Sequence, residues 1–310
     1  TAGWGLLAVI AFHVVTLFLD SLSWRALIPR QVRPSIWRLF HIHWIGDAVS
    51  AMLPVAQVGG EVVRVRLVSA RGVPLPIATA SVVVGLTLSV ATQIPFTLSG
   101  LGVLIILTQD GHSLTGPLVL ACTISLLCVA GFYAVQRIGI FRIIARIAAH
   151  VFSEKDGATS FIQRGEELDT AIRDCYTRKA AMVESALWTM ATWASGAVEV
   201  WIALHALGIP ATYAHAYVLE SAGQAIRSAF FLVPGALGIQ EGGYLLIGRL
   251  LGISAPNALA LSLIHRAREL VFGIPGLFAW QVAEGRKLWG TKNNEPFPAP
   301  STPASIPTSN

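Results

Sequence analysis

Five stretches of this chain are apolar over lengths that match the hydrocarbon core of a bilayer, and nothing else in the sequence restricts its fold as much. They run over residues 3–19, 77–107, 117–135, 180–207 and 257–280. A helix needs about 20 apolar residues to span such a core. Of the 310 residues, 54% are hydrophobic and only 13% are charged, too few charges to keep a soluble domain of this length dissolved. The expected fold class is an all-α polytopic membrane protein. Thr1 stands where a Met would begin a chain and no basic segment precedes Gly3. The first stretch is therefore not expected to be a signal peptide, and a natural start further upstream, with an additional span, is expected.

The net charge of +5 takes its meaning from where the basic residues lie. Arg25, Arg30, Arg33 and Arg38 follow the first stretch, and Arg64, Arg66 and Arg71 precede the second. Arg137, Arg142, Arg146, Lys155, Arg164, Arg173, Arg178 and Lys179 fill the connection after the third, and Arg286, Lys287 and Lys292 follow the last. The connections 108–116, 205–215 and 251–256 carry no Lys or Arg. Basic residues mark the cytoplasmic side, so one path fits all of them. The N-terminus lies outside, residues 36–70 dip in from the cytoplasm and return there, residues 213–250 dip in from outside, and the C-terminus is cytoplasmic. Arg137, Arg142 and Arg146, spaced among isoleucines, read either as an amphipathic helix on the anionic leaflet or as the ordinary end of a span. The three cysteines, Cys122, Cys128 and Cys175, have no CxxC spacing, so neither a metal nor a redox site is expected.

Sliding the chain along itself by 180 residues reveals a repeat. Pro54 meets Pro234, Ala56 meets Ala236, Glu61 meets Glu241, Gly72 meets Gly252 and Pro76 meets Pro256. With Ala78/Ala258, Ala80/Ala260, Ile94/Ile274 and Pro95/Pro275 this makes nine identities over 42 positions without a gap, three of them paired prolines. Repeat A covers residues 1–110 and repeat B 180–289, joined by a span and a basic cytoplasmic loop. The path between them crosses the membrane an odd number of times, so the halves are expected to be inverted, as in many secondary transporters. At matching places lie Pro54, Gly59 and Gly60, and Pro234, Gly235 and Gly238. Proline removes a backbone donor and glycine admits non-helical angles, so each segment reads as helix, break, helix: two re-entrant broken-helix hairpins. Lipid cannot satisfy the freed amides, so each break has to be buried in protein or line a wet cavity. Residues 290–310, rich in Pro, Ser and Thr, read as a disordered cytoplasmic tail.

The charges inside the apolar stretches carry the chemistry. Glu61 and Glu241 fall in the first turn of each second half-helix, where a carboxylate meets the positive end of the helix dipole. Such a carboxylate caps the half-helix, takes up a proton, or pairs with a substrate amine. His265, Arg266, Arg268 and Glu269 sit near the centre of the last span, where each charge costs about 2.5–3.5 kcal/mol on insertion scales. Glu269 is three residues from Arg266 and four from His265, so both can pair with it on one face. Asp47 and Arg227 precede the two breaks and are placed to face one cavity. Glu199 is placed to partner an arginine of the last span, and Glu220 joins the secondary candidates. His13, His41 and His43 read as packed neutral histidines. Nothing resembles a nucleotide loop, a zinc-protease motif or a serine-hydrolase elbow, so no cofactor and no nucleic-acid partner is expected.

Gly46 with Asp47, Leu53-Pro54, Gly59-Gly60-Glu61 and Arg64 in the first half, and Pro234, Gly235, Leu237, Gly238 and Glu241 in the second, resemble the flippase-like transmembrane family of lysylphosphatidylglycerol synthases. Arg268, seven residues before Pro275, matches the family's last helix. Residues 93–98, 240–244 and 268–276 look like its hopanoid-biosynthesis-associated branch. Two positions depart from the pattern: Leu86 where many relatives carry Arg, and Ser50 where Asn is usual. These departures weight the charge site toward the second half. The resemblance implies a flippase-like domain over residues 1–289 that moves lipids, or lipid-linked precursors, across the bacterial inner membrane. Aminoacyl transfer is not implied, so the chain is not expected to be an enzyme. Its expected partners are anionic or polar-headgroup lipids and enzymes of lipid synthesis. Glu241, Arg266, Arg268 and Glu269 are expected to line a polar cavity, with Glu61, Arg64, Asp47 and Arg227 around it. Because apolar residues stand at 85, 86 and 88, Glu61 is expected to be the carboxylate that takes up a proton if transport is proton-coupled. An ion-coupled small-molecule transporter and a non-transporting scaffold of a lipid-synthesis complex are the competing expectations.

Overall fold

A peptide group in lipid has no water to bond, so the backbone has to close its hydrogen bonds within each segment. The computed structural model describes residues 2–53, 59–108, 155–229 and 238–292, with a few helical positions between 116 and 134. Among the described residues lie nine α-helices and no strand. They are α1 (Ala2–Leu27), α2 (Ile36–Met52), α3 (Gly59–Ser69), α4 (Leu75–Thr108), α5 (Lys155–Thr177), α6 (Lys179–Ala206), α7 (Tyr213–Ala229), α8 (Ile239–Leu250) and α9 (Ala255–Lys292). Pro54, Pro234 and Gly235, most of the third apolar stretch, the 137–146 segment and residues 293–310 lie outside the described residues.

Within the described helices, Trp4–Leu27 and Leu75–Thr108 are long and apolar enough to cross a membrane. Helices α6, of 28 residues, and α9, of 38, have the length for it. Glu199 in one and the His265–Glu269 cluster in the other dilute their apolar character. Helix α1 does not stop at residue 19 but runs on to Leu27, which takes Asp20 inside it. Its last carbonyls are held by arginines: Arg33 Nη2 donates to Ala26 O (3.3 Å) and Arg178 Nη2 to Leu27 O (2.6 Å). The connection read as a loop contains α5. Ile172 and Cys175, together with Leu168 and Ala171, make one apolar face that packs on Leu27, Ala80 and Val84.

The helix order α1–α4 recurs as α6–α9. Helices α3 and α8 open at Gly59 and Ile239, and α4 and α9 at Leu75 and Ala255, each pair 180 residues apart. The turn before each long helix depends on a glycine at positive φ, Gly72 (95°) and Gly252 (73°), a conformation other residues adopt only with strain. Pro95 and Pro275 lie inside the two long helices.

Packing follows the same order. Helices α1 and α6 run antiparallel, with Gly5 against Ala206 at one end. The Ser23 hydroxyl bonds those of Ser185 (2.9 Å) and Thr189 (2.8 Å) at the other. Helices α2 and α3 form an antiparallel hairpin so close that a Cβ on Gly60 would lie 2.1 Å from the Gly46 carbonyl oxygen. Helices α7 and α8 form a second hairpin, with Ile226 against Gly243. Each hairpin lies against the long helix of the other half, α2 on α9 through Ala48 and Gly276, and α7 on α4 through Ser221 and Gly100. Small residues at these crossings let backbones approach where lipid provides no hydrophobic drive. Ile106, Leu187, Leu263 and Phe278 point outward and are exposed.

Candidate functional site

The charges enter the bundle in groups, each centred on a hairpin or on α1. In the first group α2 presents His43 and Asp47 one turn apart, and α3 presents Glu61 and Arg64. Arg64 Nη1 donates to Glu61 Oε1 at 2.8 Å, and Nη2 donates to Asp47 Oδ1. His43 Nε2 lies 2.9 Å from Asp20 on α1 and 3.5 Å from Asp47. Gly46 shapes the groove: a Cβ there would lie 2.6 Å from Arg64 Nε, so the stem of the arginine runs where any other residue would put its side chain. Three carboxylates thus surround one guanidinium and a histidine.

The second group lies where α8 and α9 meet. Arg266 Nη1 donates to Glu269 (2.9 Å) and its Nε to Glu241 (3.1 Å). Arg227 on α7 donates to Gln240 Oε1 (2.9 Å) and lies 3.6 Å from Glu269. Beside it Arg268 points to another neighbour, pairing with Glu199 on α6, whose other oxygen is 3.0 Å from His13 Nδ1 on α1. Glu199 is only 1% exposed, and among the described residues its charge is supported by these two partners. An isolated ion at such depth costs far more than a paired one. Helix α1 therefore serves both groups: His13 and Asp20 are seven residues apart, on one face and about 10 Å apart along the axis.

The sequence expectations divide. Glu241, Arg266, Glu269 and Arg227 come together, and Arg268 finds the Glu199 partner anticipated for it. Gly59 and Gly60 open α3, and Gly238, at φ 78°, is the N-cap of α8. Asp47 and Arg227 are each bound across their own hairpin, Asp47 to Arg64 and Arg227 to Gln240. Glu61 is not surrounded by apolar residues, since Arg64 turns inward to meet it one turn on; the premise for its taking up a proton fails. The charge is not weighted to the second half either, since the first hairpin has a group of its own. His265 does not pair with Glu269 but turns inward, 97% buried, to the Tyr244 hydroxyl at 3.5 Å. His13 and His43 pack as expected, His13 on Phe272 and His43 beside Trp24, and each also reaches a carboxylate, Glu199 and Asp20 respectively. Asp20 was overlooked altogether, although it lies seven residues after His13 and within reach of the first span's helical continuation.

A bundle of this kind, with paired helical hairpins and ion pairs set into long apolar helices, defines a class of helical membrane proteins. The lysylphosphatidylglycerol synthase TM region family matches residues 1–276, and the chain belongs to that family. The family resemblance read from the two broken segments is thereby borne out, and with it a lipid-related role in a membrane. No curated protein and no solved structure matches the chain.

Proposed function

We propose that this protein moves lipids, or lipid-linked precursors, across the bacterial inner membrane, the headgroup passing between two re-entrant hairpins that enter from opposite faces. Helix lengths support the re-entrant reading. Helices α3 and α8 have 11 and 12 residues. At about 1.5 Å per residue neither approaches the ~30 Å of a hydrocarbon core. The antiparallel α1–α6 pair and the exchange of hairpins between long helices support an inverted repeat, with both termini of repeat B reversed relative to repeat A.

The observation that carries the lipid reading is a set of buried polar atoms without a partner at the opening turn of α8. Glu241 Oε2, Arg266 Nη2 and Gln240 Nε2 have none among the described residues. Two free donors, one of them on the Arg266 guanidinium, with Arg227 beside them suit a phosphate or carboxylate, which guanidinium groups bind in a fork. The acid-rich first group suits an amine. A polar headgroup meets both, and the apolar exterior accommodates its chains. The resemblance to the hopanoid-associated branch makes hopanoid precursors one class of cargo to test. In this reading the helices carry the lipid and perform no covalent chemistry, and the C-terminus is cytoplasmic.

The test is lipid movement in vesicles containing only this protein. An Arg266→Gln protein keeps Glu269 within 3.6 Å of Arg227 and is expected to fold, with a smaller loss of melting temperature than Arg268→Ala, while moving labelled phospholipid at least about tenfold more slowly, as the loss of one charged contact allows. Movement at the wild-type rate would favour the scaffold reading, in which the closed Arg268–Glu199–His13 group and its neighbours only lock helices together.

A further inference from the structure

Among the acids of α1–α4 and α6–α9 that the bundle covers at least in part, each has a cationic or histidine partner, with one exception. Asp20 meets His43, Asp47 and Glu61 meet Arg64, Glu199 meets Arg268 and His13, and Glu241 and Glu269 meet Arg266. Glu220 on α7 forms no ion pair among the described residues. Its side chain is buried, and its hydrogen-bond donor is a neutral amide, Gln224 Nε2, at 2.8 Å from Oε1. The carboxyl lies against α6 at Gly196, where an added Cβ would stand 2.7 Å from Oε1. Only a glycine leaves the room for it. One turn further along α6 is Glu199.

We propose that Glu220 is a proton-binding site, neutral in this conformation and losing its proton when the Arg268–Glu199 pair beside it opens. The charged and titratable groups around it are Glu199 on α6, Arg227 on α7, Tyr244 on α8, and Arg268 on α9. His265 lies behind Tyr244 and His13 behind Glu199. While Arg268 is engaged by Glu199, the near neighbour of Glu220 is a carboxylate with its counter-ion already committed. An unpaired buried carboxylate is the form this setting disfavours, and the acid needs no counter-ion. Once Arg268 leaves Glu199, its guanidinium is free to compensate a Glu220 carboxylate. The O–H bond then breaks, the electron pair stays on Glu220, and the proton passes to water. Residues 220, 224 and 227 share one face of α7, so Glu220 stands at the inner end of a polar row that reaches Glu269 and Arg266 through Arg227.

The ligand is a proton, so it can be read without any transport. Difference infrared spectra of the full-length protein in vesicles, titrated from acid to alkaline pH, report the C=O stretch of protonated carboxyls. The wild type is expected to show one at neutral pH, and Glu220→Gln to lack it while melting at the same temperature, because Gln has the shape of the neutral acid. The same band in both proteins overturns the proposal, as does a Glu220→Gln protein destabilised as much as Arg268→Ala. A second arm rests on the lipid-moving function proposed above: the pH dependence of lipid movement should flatten in Glu220→Gln. If no lipid moves at any pH, the lipid reading fails and the infrared result still decides Glu220.

Discussion

Arg268 cannot be removed without leaving Glu199 charged, 1% exposed and supported by His13 alone. Breaking one side of a buried pair costs about 3–5 kcal/mol, and neutralising both sides costs much less. Arg268→Ala should therefore lower the melting temperature in detergent sharply, and the added Glu199→Gln should restore most of it; no recovery in the double variant would contradict the pairing. Glu241 is more exposed, and Glu241→Gln should leave stability nearly unchanged in the same measurement. Cys175 provides a residue-scale test outside the spans. Burial between α5 and Leu27 pushes its thiol up from the usual range, against a smaller opposing pull from Arg178. At a given pH less thiolate is present than in an unfolded chain. In a Cys122→Ser/Cys128→Ser protein, alkylation should be slow near neutral pH and rise only under alkaline conditions, and rapid neutral-pH labelling would show that α5 does not pack as described. The Glu199–Arg268 pair was legible because both are charges in apolar stretches with nowhere to snorkel. The roles of His13 and His43 were not, since a lone histidine in apolar surroundings reads as packing until its partner helix is known. Asp20 was missed because the first stretch loses its apolar character at residue 19 while the helix does not.

The hairpins depend on contacts that a sequence shows only as glycine. Gly60→Ala places a methyl against the Gly46 carbonyl, a backbone atom with no room to yield, and overpacking of this kind costs about 1–3 kcal/mol. Gly102 in α4 meets nothing within 4 Å, so Gly102→Ala should be neutral or slightly stabilising. Equal melting temperatures for the two variants would rule out the close α2–α3 approach. The openings of α3 at Gly59 and of α8 after Gly238, and the glycine turns at Gly72 and Gly252, were readable, because a glycine acts locally and leaves its mark in the residue itself. Helix α5 was not, because its apolar face is narrow and sits in a segment dominated by charge. The partners of each hairpin could not be read either. That α2 packs on α9 and α7 on α4 is set by shape across more than a hundred residues of chain.

At the scale of the whole molecule the repeat was the most legible feature, since a fixed offset survives any ignorance of packing. The helix boundaries at Gly59 and Ile239, and at Leu75 and Ala255, reproduce it. The inverted arrangement predicts that the turns after α3 and α8 lie on opposite sides of the membrane. In a protein without its native cysteines, Arg71→Cys and Ser254→Cys should each react with an impermeant thiol reagent from one side only, Arg71→Cys from the cytoplasm and Ser254→Cys from outside. Reaction of both from the same side would contradict the inversion. In the proposed function the two charge groups, one with three carboxylates around Arg64 and one with Arg227 and Arg266 beside Glu241 and Glu269, face the path of a polar headgroup through lipid. The direct measurement is made on the purified wild-type protein in vesicles of bacterial phospholipid carrying a headgroup-labelled tracer in the inner leaflet, with a membrane-impermeant quencher added outside. The account predicts that the protein exposes the inner-leaflet tracer to quenching well above the protein-free rate and in proportion to protein density, and a rate equal to that of protein-free vesicles would contradict it.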